Sequence, residues 1–259
     1  MAIIKKFRIT NFKNQNALIS LKNISLSFQK KHLILDNISL NISKGQVLGL
    51  LGPNGAGKSS LMNIITGLIK PTFGSVSINN LNINDYPIYE RTKKFNISLV
   101  PQTGGYFAAL SAEQNLEAAG EILIKDTNKR KLKIEELISK FELDAVRKVE
   151  AKFLSGGMKR RLVISMSLLG DPKILLMDEP LAALDPQTIQ MLQNIIVTLQ
   201  TEYNLTILLT DHQARDLLVV CDKAVILSNT KIVAEGTPNE LMNNENAHKH
   251  YFGKDFKFK

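Results

Sequence analysis

The pattern of apolar and polar residues along the chain predicts strands of two kinds. Apolar residues alternate with polar ones at Ile24, Leu26 and Phe28, and again from Leu33 to Ile42. This alternation is typical of antiparallel strands with one buried face. Later runs, among them VLGLL at 47–51 and KILLM at 173–177, are apolar without interruption. A continuous apolar run predicts a strand that is covered on both faces.

Helical patterns separate the later strands, and this alternation predicts an α/β fold with a mainly parallel sheet. From residue 106 to about 152 the pattern is helical throughout, and Ser111 with Gln114 has the spacing of a capping box that begins a helix. We therefore interpret this block as an insertion. The predicted parts are an N-terminal extension (1–19), an α/β core with antiparallel strands (20–103 and 164–235), a helical subdomain (104–163) and a C-terminal tail (236–259).

Composition and charge indicate which partners, cellular compartment and membrane association the protein can have. The chain has 259 residues and a formal charge of +9, which suits either an anionic partner or a solvated, lysine-rich surface. A single cysteine, Cys221, allows no internal disulfide and favours a reducing compartment. No apolar stretch approaches the ~20 residues of a membrane span, and the N-terminus has no apolar core of signal-peptide length. We therefore expect neither a channel nor a protein exported by that route.

A glycine-rich segment follows the apolar run VLGLL. Residues 52–59, GPNGAGKS, match G-x-x-x-x-G-K-[ST] between a buried strand and a helix. Glycines let successive backbone N–H groups surround an anion, and the helix N-terminus adds positive potential. Lys58 is expected to reach the β- and γ-phosphates of a nucleotide, and Ser59 to ligate Mg²⁺. The predicted ATP-binding residues here are Gly52, Pro53, Asn54, Gly55, Ala56, Gly57, Lys58, Ser59 and Ser60.

Acidic residues follow the apolar run at 174–177. Asp178 and Glu179 emerge at a strand end, which is where ligands bind in parallel α/β sheets. Asp178 suits the shell of Mg²⁺, and Glu179 suits a base that activates water. An acidic strand end is also common on protein surfaces, so the interpretation depends on the phosphate-binding loop upstream.

Three further residues have both a functional and a structural interpretation. His212 ends another buried run and is expected to contact a γ-phosphate, although a lone histidine is more often structural. Gln102, which leaves a strand, is a candidate for Mg²⁺ or the attacking water. Phe28 either stacks on an adenine ring or packs in the core.

A second glycine-rich helix start, FLSGGMKRRL, lies at 153–162. Ser155 is a candidate N-cap, with Gly156 and Gly157 in the first turn, which again suits an anion. An ordinary serine-capped helix is the alternative.

From about residue 20 onward, the chain resembles the ATP-binding subunits of ABC transporters. The motifs that carry the resemblance are, in order, GPNGAGKS, Gln102, LSGG, ILLMDEP, Leu184-Asp185 and His212. The resemblance implies a P-loop NTPase (RecA-like) core with an antiparallel β subdomain and an inserted α-helical subdomain. Met158 stands where the family usually has Gln or Glu.

The resemblance also implies site roles and partners. Two subunits form a head-to-tail homodimer, so that Ser155, Gly156 and Gly157 of one contact ATP on the other in trans. Asp185 lies at the dimer seam and couples the two sites. The residues implied to bind Mg²⁺ are Ser59, Gln102 and Asp178. Those implied to act in catalysis are Glu179, His212 and Gln102. Phe28 is implied to stack on adenine. A groove near Phe107 and Leu110 receives transmembrane permease subunits, which places the protein on the cytoplasmic face of the inner membrane.

Details near the C-terminus point to one branch of the family. Thr210-Asp211-His212 with Arg215, then AEGTPNEL and YFGKDF, resemble the ATPases of lipopolysaccharide export. Ala108-Ala109 stand where that branch is expected to carry basic residues. Two alternatives remain: the ATPase of a branched-chain amino acid importer or another ABC importer, and an ABC ATPase that acts on nucleic acid or ribosomes. The single cassette and short helical insert argue against the latter, so no nucleic acid is expected.

Overall fold

The computed structural model describes residues 17–28, 32–253 and 256, and it does not describe the side chains of Phe28 and His32. Within these residues the strands, in chain order, are β1 (Ala17–Phe28), β2 (His32–Ser43), β3 (Val47–Leu51), β4 (Phe73–Ile78), β5 (Leu81–Asn82), β6 (Ile97–Val100), β7 (Ile174–Met177), β8 (Thr206–Asp211), β9 (Lys223–Ser228) and β10 (Lys231–Gly236). The α-helices are α1 (Lys58–Thr66), α2 (Ile88–Phe95), α3 (Ala112–Leu123), α4 (Thr127–Lys140), α5 (Gly156–Ser167), α6 (Pro186–Tyr203), α7 (Ala214–Leu218), α8 (Pro238–Met242) and α9 (Glu245–Ala247). None of the described helices is long and apolar enough to cross a bilayer.

A six-stranded sheet forms the centre of the molecule, in the order β10-β9-β3-β8-β7-β6. The five strands from β9 to β6 are parallel, and β10 is antiparallel to β9. Successive side chains of β7 enter different apolar clusters, since Leu175 belongs to one and Leu176 to the other. Both faces of the sheet are therefore covered, which confirms the α/β prediction and explains the unbroken apolar runs.

A smaller antiparallel sheet, in the order β2-β1-β4-β5, packs on one face of the central sheet. Its strand β1 begins at Ala17, so the predicted boundary of an extension at residue 19 is wrong. Ile19 and Leu21 are buried like Ile24 and Leu26, but Lys22 and the left-handed Asn23 (φ 52°) form an irregularity between them. This bulge breaks the period of two and hides the first half of the strand from pattern analysis. Residues 1–16 of the predicted extension lie outside the described residues.

The helical block between β6 and β7 contains α3, α4 and α5. Ser111 and Gln114 form the predicted capping box of α3, with both reciprocal hydrogen bonds present. Helix α5 continues to Ser167, so the predicted subdomain boundary at residue 163 falls inside a helix.

Helix α2 was not predicted, because its one buried side chain is an arginine rather than an apolar residue. The guanidinium of Arg91 donates hydrogen bonds to the carbonyls of Ile64 (2.8 Å) and Ile65 (2.9 Å) near the end of α1, and to that of Tyr86 (2.7 Å). Carbonyls in the last turn of a helix have no partner within the helix, and a buried Arg91 satisfies two of them. A buried charged residue thus attaches α2 to the rest of the fold, at a position where hydropathy patterns expect an apolar residue.

Candidate functional site

The central sheet brings the polar ends of four neighbouring strands to one edge. Strands β3, β8, β7 and β6 are adjacent and parallel, so the segments that follow them emerge side by side. These segments contain the glycine-rich loop, His212, the Asp178–Glu179 pair and Gln102, respectively. Parallel pairing therefore assembles residues that are more than a hundred positions apart in sequence.

The glycine-rich loop is shaped for close contact with an anion. Gly57 is the N-cap of α1 with φ 96°, and a Cβ there would lie 2.7 Å from Leu35 Cδ2. Lys58, only 5% exposed, folds back over the loop and donates from Nζ to the carbonyls of Gly52 (2.8 Å) and Pro53 (3.1 Å). Burial lowers the pKa of the Lys58 ammonium, against the opposing effect of the nearby carboxylates. The loop thus presents a preformed cationic group and a helix N-terminus.

A cleft of ≈ 390 Å³ lies over this loop. Its walls contain most of the predicted nucleotide residues together with Ile34, which was not predicted: Ile34, Asn54, Gly55, Ala56, Gly57, Lys58, Ser59, Ser60, Gln102 and Glu179. The predicted stacking residue Phe28 ends β1, and its side chain lies outside the described residues.

The acidic pair is held by Thr210, to which sequence analysis gave no role in the site. The fully buried Thr210 donates from Oγ1 to Asp178 Oδ1 (2.6 Å) and accepts from the backbone N–H of Glu179 (2.9 Å). One hydroxyl therefore fixes both the Asp178 carboxylate and the backbone that presents Glu179. The only sequence signal for it is a polar residue within the apolar strand β8.

Glu179 lies at the centre of the polar cluster. Its backbone is left-handed (φ 46°), an uncommon conformation for a residue other than glycine. Its Oε2 accepts a hydrogen bond from Gln102 Nε2 (2.8 Å) and lies 3.5 Å from His212 Nδ1. Three predicted catalytic residues from three strands therefore meet at one carboxylate, and an uncommon backbone at such a point is typical of functional sites.

Arg160 of α5 connects the helical block to this cluster, a role that sequence analysis did not predict. Its guanidinium donates to the carbonyls of Pro101 (2.8 Å), Gln102 (2.9 Å) and Glu179 (3.3 Å). The side chain thus fixes the turn that contains Gln102 and the backbone at Glu179 together.

Two further groups support the His212 loop. Asp211 is fully buried; its Oδ1 accepts from Gln213 N–H (2.9 Å), and its Oδ2 has no hydrogen-bond partner among the described residues. Burial raises the pKa of Asp211. The hydroxyl of Tyr251, in a π-helical turn at His248–Phe252, donates to the carbonyl of His212 (2.7 Å). The C-terminal segment therefore contacts the loop that contains His212 directly.

The second glycine-rich segment does not line the cleft of its own chain. Ser155 is the N-cap of α5, where its hydroxyl accepts from Met158 N–H (3.3 Å), and both Ser155 and Gly156 are exposed. Gly157 is required locally because a Cβ there would lie 2.7 Å from Thr188 Cγ2. The side chain of Met158 packs against the core, which accounts for an apolar residue at this position. The start of α5 is thus free to contact another molecule.

Asp185 has a local structural role besides its predicted place at a seam. It is the N-cap of α6, and its carboxylate accepts hydrogen bonds from the Thr188 N–H (2.9 Å) and hydroxyl (2.5 Å). These hydrogen bonds hold the pKa of Asp185 below its usual value.

The predicted docking residues lie on a loop that one buried amide supports. Asn115 of α3, fully buried, accepts from the N–H of Phe107 and donates to the carbonyls of Phe107 and Leu110. Phe107 itself is 60% exposed. Fixing the backbone of an exposed aromatic residue in this way suits a surface that meets a partner.

Comparison with known proteins gives concordant matches. The family model described as ABC transporter matches residues 35–182. The lipopolysaccharide export system ATP-binding protein LptB of Haemophilus influenzae is 35% identical over 243 residues, which are 93% of this chain and 99% of that protein. The protein of the same name from Escherichia coli K12 is 33% identical over 244 residues, with 93% and 99% covered.

Solved structures of ATP-binding cassettes have a similar fold. CbiO1 from Clostridium perfringens, part of the ABC transporter complex CbiONQ, has a TM-score of 0.80 at 25% identity and covers 91% of this chain and 94% of its own. A dimeric ATP-binding cassette in a post-hydrolysis state, bound to ADP and Pi, has a TM-score of 0.75 at 28% identity, with 85% and 98% covered.

Replacing Arg160 tests its structural importance. We expect Arg160→Met to lower the free energy of unfolding by about 2 kcal/mol, because the partly buried carbonyls of Pro101 and Glu179 lose charged donors. Lys159→Met is the matched control, since Lys159 Nζ reaches a single exposed carbonyl, that of Lys152. Urea denaturation measures both, and equal stability of the two variants would contradict the assignment.

Proposed function

This chain belongs to the ABC transporter family as an ATP-binding subunit that hydrolyses ATP, and from this premise we propose that it powers lipopolysaccharide export. It acts as a homodimer attached to transmembrane subunits on the cytoplasmic face of the inner membrane. The observation that supports the substrate is the match, over nearly the whole chain, to relatives that bear this name. The C-terminal residues AEGTPNEL and YFGKDF support the same branch.

The glycine-rich loop holds the phosphates of ATP in this proposal. Backbone N–H groups of the loop and the N-terminus of α1 surround the phosphates, and the Lys58 ammonium neutralises their charge. Lys58 already points along the loop through its hydrogen bonds to Gly52 and Pro53, so little reorganisation is needed when ATP binds.

The polar groups at the strand ends fit Mg²⁺. The described residues contain no cluster of three or more His, Cys, Asp or Glu side chains that could hold a metal. Mg²⁺ is commonly bound through only one or two carboxylates and completes its shell with phosphate, water and other oxygens. Asp178 would supply the carboxylate, and Ser59 and Gln102 a hydroxyl and an amide oxygen. Bound there, the ion neutralises charge that develops on the phosphate oxygens. Thr210 orients Asp178 for this role through its hydrogen bond to Oδ1.

Glu179 acts as the base in ATP hydrolysis. Its carboxylate orients the attacking water and accepts a proton from it. Gln102 fixes Oε2 of this carboxylate by donating from Nε2. His212, whose Nδ1 lies 3.5 Å from the same oxygen, is the proposed contact of the γ-phosphate. Removing the carboxylate charge therefore leaves the phosphate-binding groups in place, but the attacking water no longer has a base to accept its proton.

The site is completed by a second copy of the chain. Ser155, Gly156 and Gly157 lie at an exposed helix N-terminus that does not line the cleft of their own chain, so they suit the γ-phosphate held by a partner. Asp185, which caps α6 beside this segment, couples the two sites across the seam. The loop with Phe107 and Leu110 receives the transmembrane partner.

Glu179→Gln separates binding from hydrolysis. We expect ATP affinity to remain near that of the wild type and turnover to fall by at least about a hundredfold, because a general base contributes that much or more. Glu117→Gln, on α3, is the control. Phosphate release and nucleotide binding are the measurements, and near-normal turnover would remove Glu179 from its role.

Ser155→Arg tests the site shared between two subunits. We expect the variant to bind ATP normally as a monomer but to lose ATP-dependent dimerisation, since the added bulk and charge occupy the space of the partner's phosphate. Ser139→Arg places the same residue on the exposed side of α4 and should dimerise normally. Light scattering with ATP in the Glu179→Gln background measures both; normal hydrolysis by Ser155→Arg alone would contradict a shared site.

The substrate is tested with the complete complex. The tagged chain is purified from detergent-solubilised membranes with its membrane subunits and reconstituted in liposomes. Lipopolysaccharide should change its ATPase rate, whereas leucine with a periplasmic binding protein should not. A response to the amino acid alone would favour the importer, and co-purification with ribosomes or nucleic acid without membrane protein would contradict transport.

A further inference from the structure

A second cavity, of ≈ 260 Å³, lies at the opposite edge of the sheet from the nucleotide cleft. It is formed by one face of α4, the end of α6 and the segment that enters β7. Residues 133, 136, 137 and 140 contribute the α4 wall, at the spacing of one helix face. The cavity therefore has one wall from the helical block and another from the α/β core.

The floor of this cavity is apolar and buried. Leu137, Leu168, Leu199 and Leu205 line it, and each is at most 6% exposed. All four belong to the core cluster and present carbon atoms to the cavity. The floor thus suits the apolar body of a ligand.

The rim of the cavity is cationic. Lys133 is compensated, because its Nζ lies 2.9 Å from Asp171 Oδ1 and 3.3 Å from Glu136 Oε2. Lys140 and Lys173 form no ion pair with any residue in the described part of the chain, and Lys140 Nζ lies 3.7 Å from the centroid of the Tyr203 ring. Both acidic groups of the rim are therefore engaged by one lysine, which leaves two positive charges available.

We propose that this cavity binds a small anion with an apolar body, such as an aromatic or short-acyl carboxylate. The apolar part lies on the four leucines, and the carboxylate pairs with Lys140 and Lys173 beside the Tyr203 ring. A dry cavity of about 150 Å³ accepts benzene, so this larger one accepts a two-ring compound or a chain of about ten carbons.

The cavity is connected to the proposed catalytic site through strand β7. Lys173 directly precedes β7, and the four residues of that strand lead to Asp178 and Glu179. A bound ligand contacts this segment and α4 at once, so it bridges the helical block and the core.

Tyr203 allows a direct test, because the chain contains no tryptophan. Tyr203→Trp places a single fluorescent reporter at the rim, and Tyr89→Trp on α2 places one elsewhere as the control. We expect decanoate to change the emission of the first reporter in a saturable way and not that of the second. Decylammonium, which has the same chain and the opposite charge, should bind at least about tenfold more weakly because Lys140 and Lys173 repel it.

Charge reversal at the rim completes the experiment. In calorimetric titrations of the full chain, the double variant Lys140→Glu, Lys173→Glu should bind decanoate about tenfold more weakly, given the size of exposed charge pairs. The double variant Lys125→Glu, Lys131→Glu carries the same charge change at exposed positions that do not line the cavity and should bind as the wild type does. No binding of decanoate, equal binding of decylammonium, or equal weakening in both double variants would overturn the proposal.

Discussion

The parallel pairing of strands that are buried on both faces is the constraint on which the rest of this structure depends. Because β3, β8, β7 and β6 run in one direction, every polar segment that follows them must emerge at the same edge of the sheet. The glycine-rich loop, the acidic pair, His212 and Gln102 meet there without any local sequence proximity. The hydroxyl of Thr210, in β8, then fixes the spacing between Asp178 and the backbone of Glu179.

The helical block is tied to this edge by one side chain and carries the exposed start of α5. Arg160 lies on the same helix as Ser155 and contacts the backbone at Gln102 and Glu179. In the proposed dimer, a movement of α5 toward the partner would therefore act on the backbone at Gln102 and at the proposed base Glu179. This connection gives a physical reason why closure of a dimer and hydrolysis within it depend on each other.

Pattern analysis predicted the α/β class and brought together the correct strand ends, because long apolar runs and a glycine-rich loop are strong local signals. It missed the first half of β1, where a bulge at Asn23 breaks the period, and α2, where a buried Arg91 replaces an apolar residue. The roles of Thr210, Arg160 and Tyr251 were also missed, because these roles depend on contacts with residues 19 to 59 positions away. Such long-range contacts do not produce a periodic pattern of apolar and polar residues in a single sequence.

The central claim is that each ATP is held between the glycine-rich loop of one chain and Ser155 of another. Mixing two inactive variants, Lys58→Ala and Ser155→Arg, tests it most directly. In a mixed dimer both defects fall in one site and leave the other site intact, so hydrolysis should return to at least about one quarter of the wild-type rate at equal concentrations, the value that random pairing gives. If each chain formed a complete site by itself, mixing would restore nothing, and that result would contradict the account.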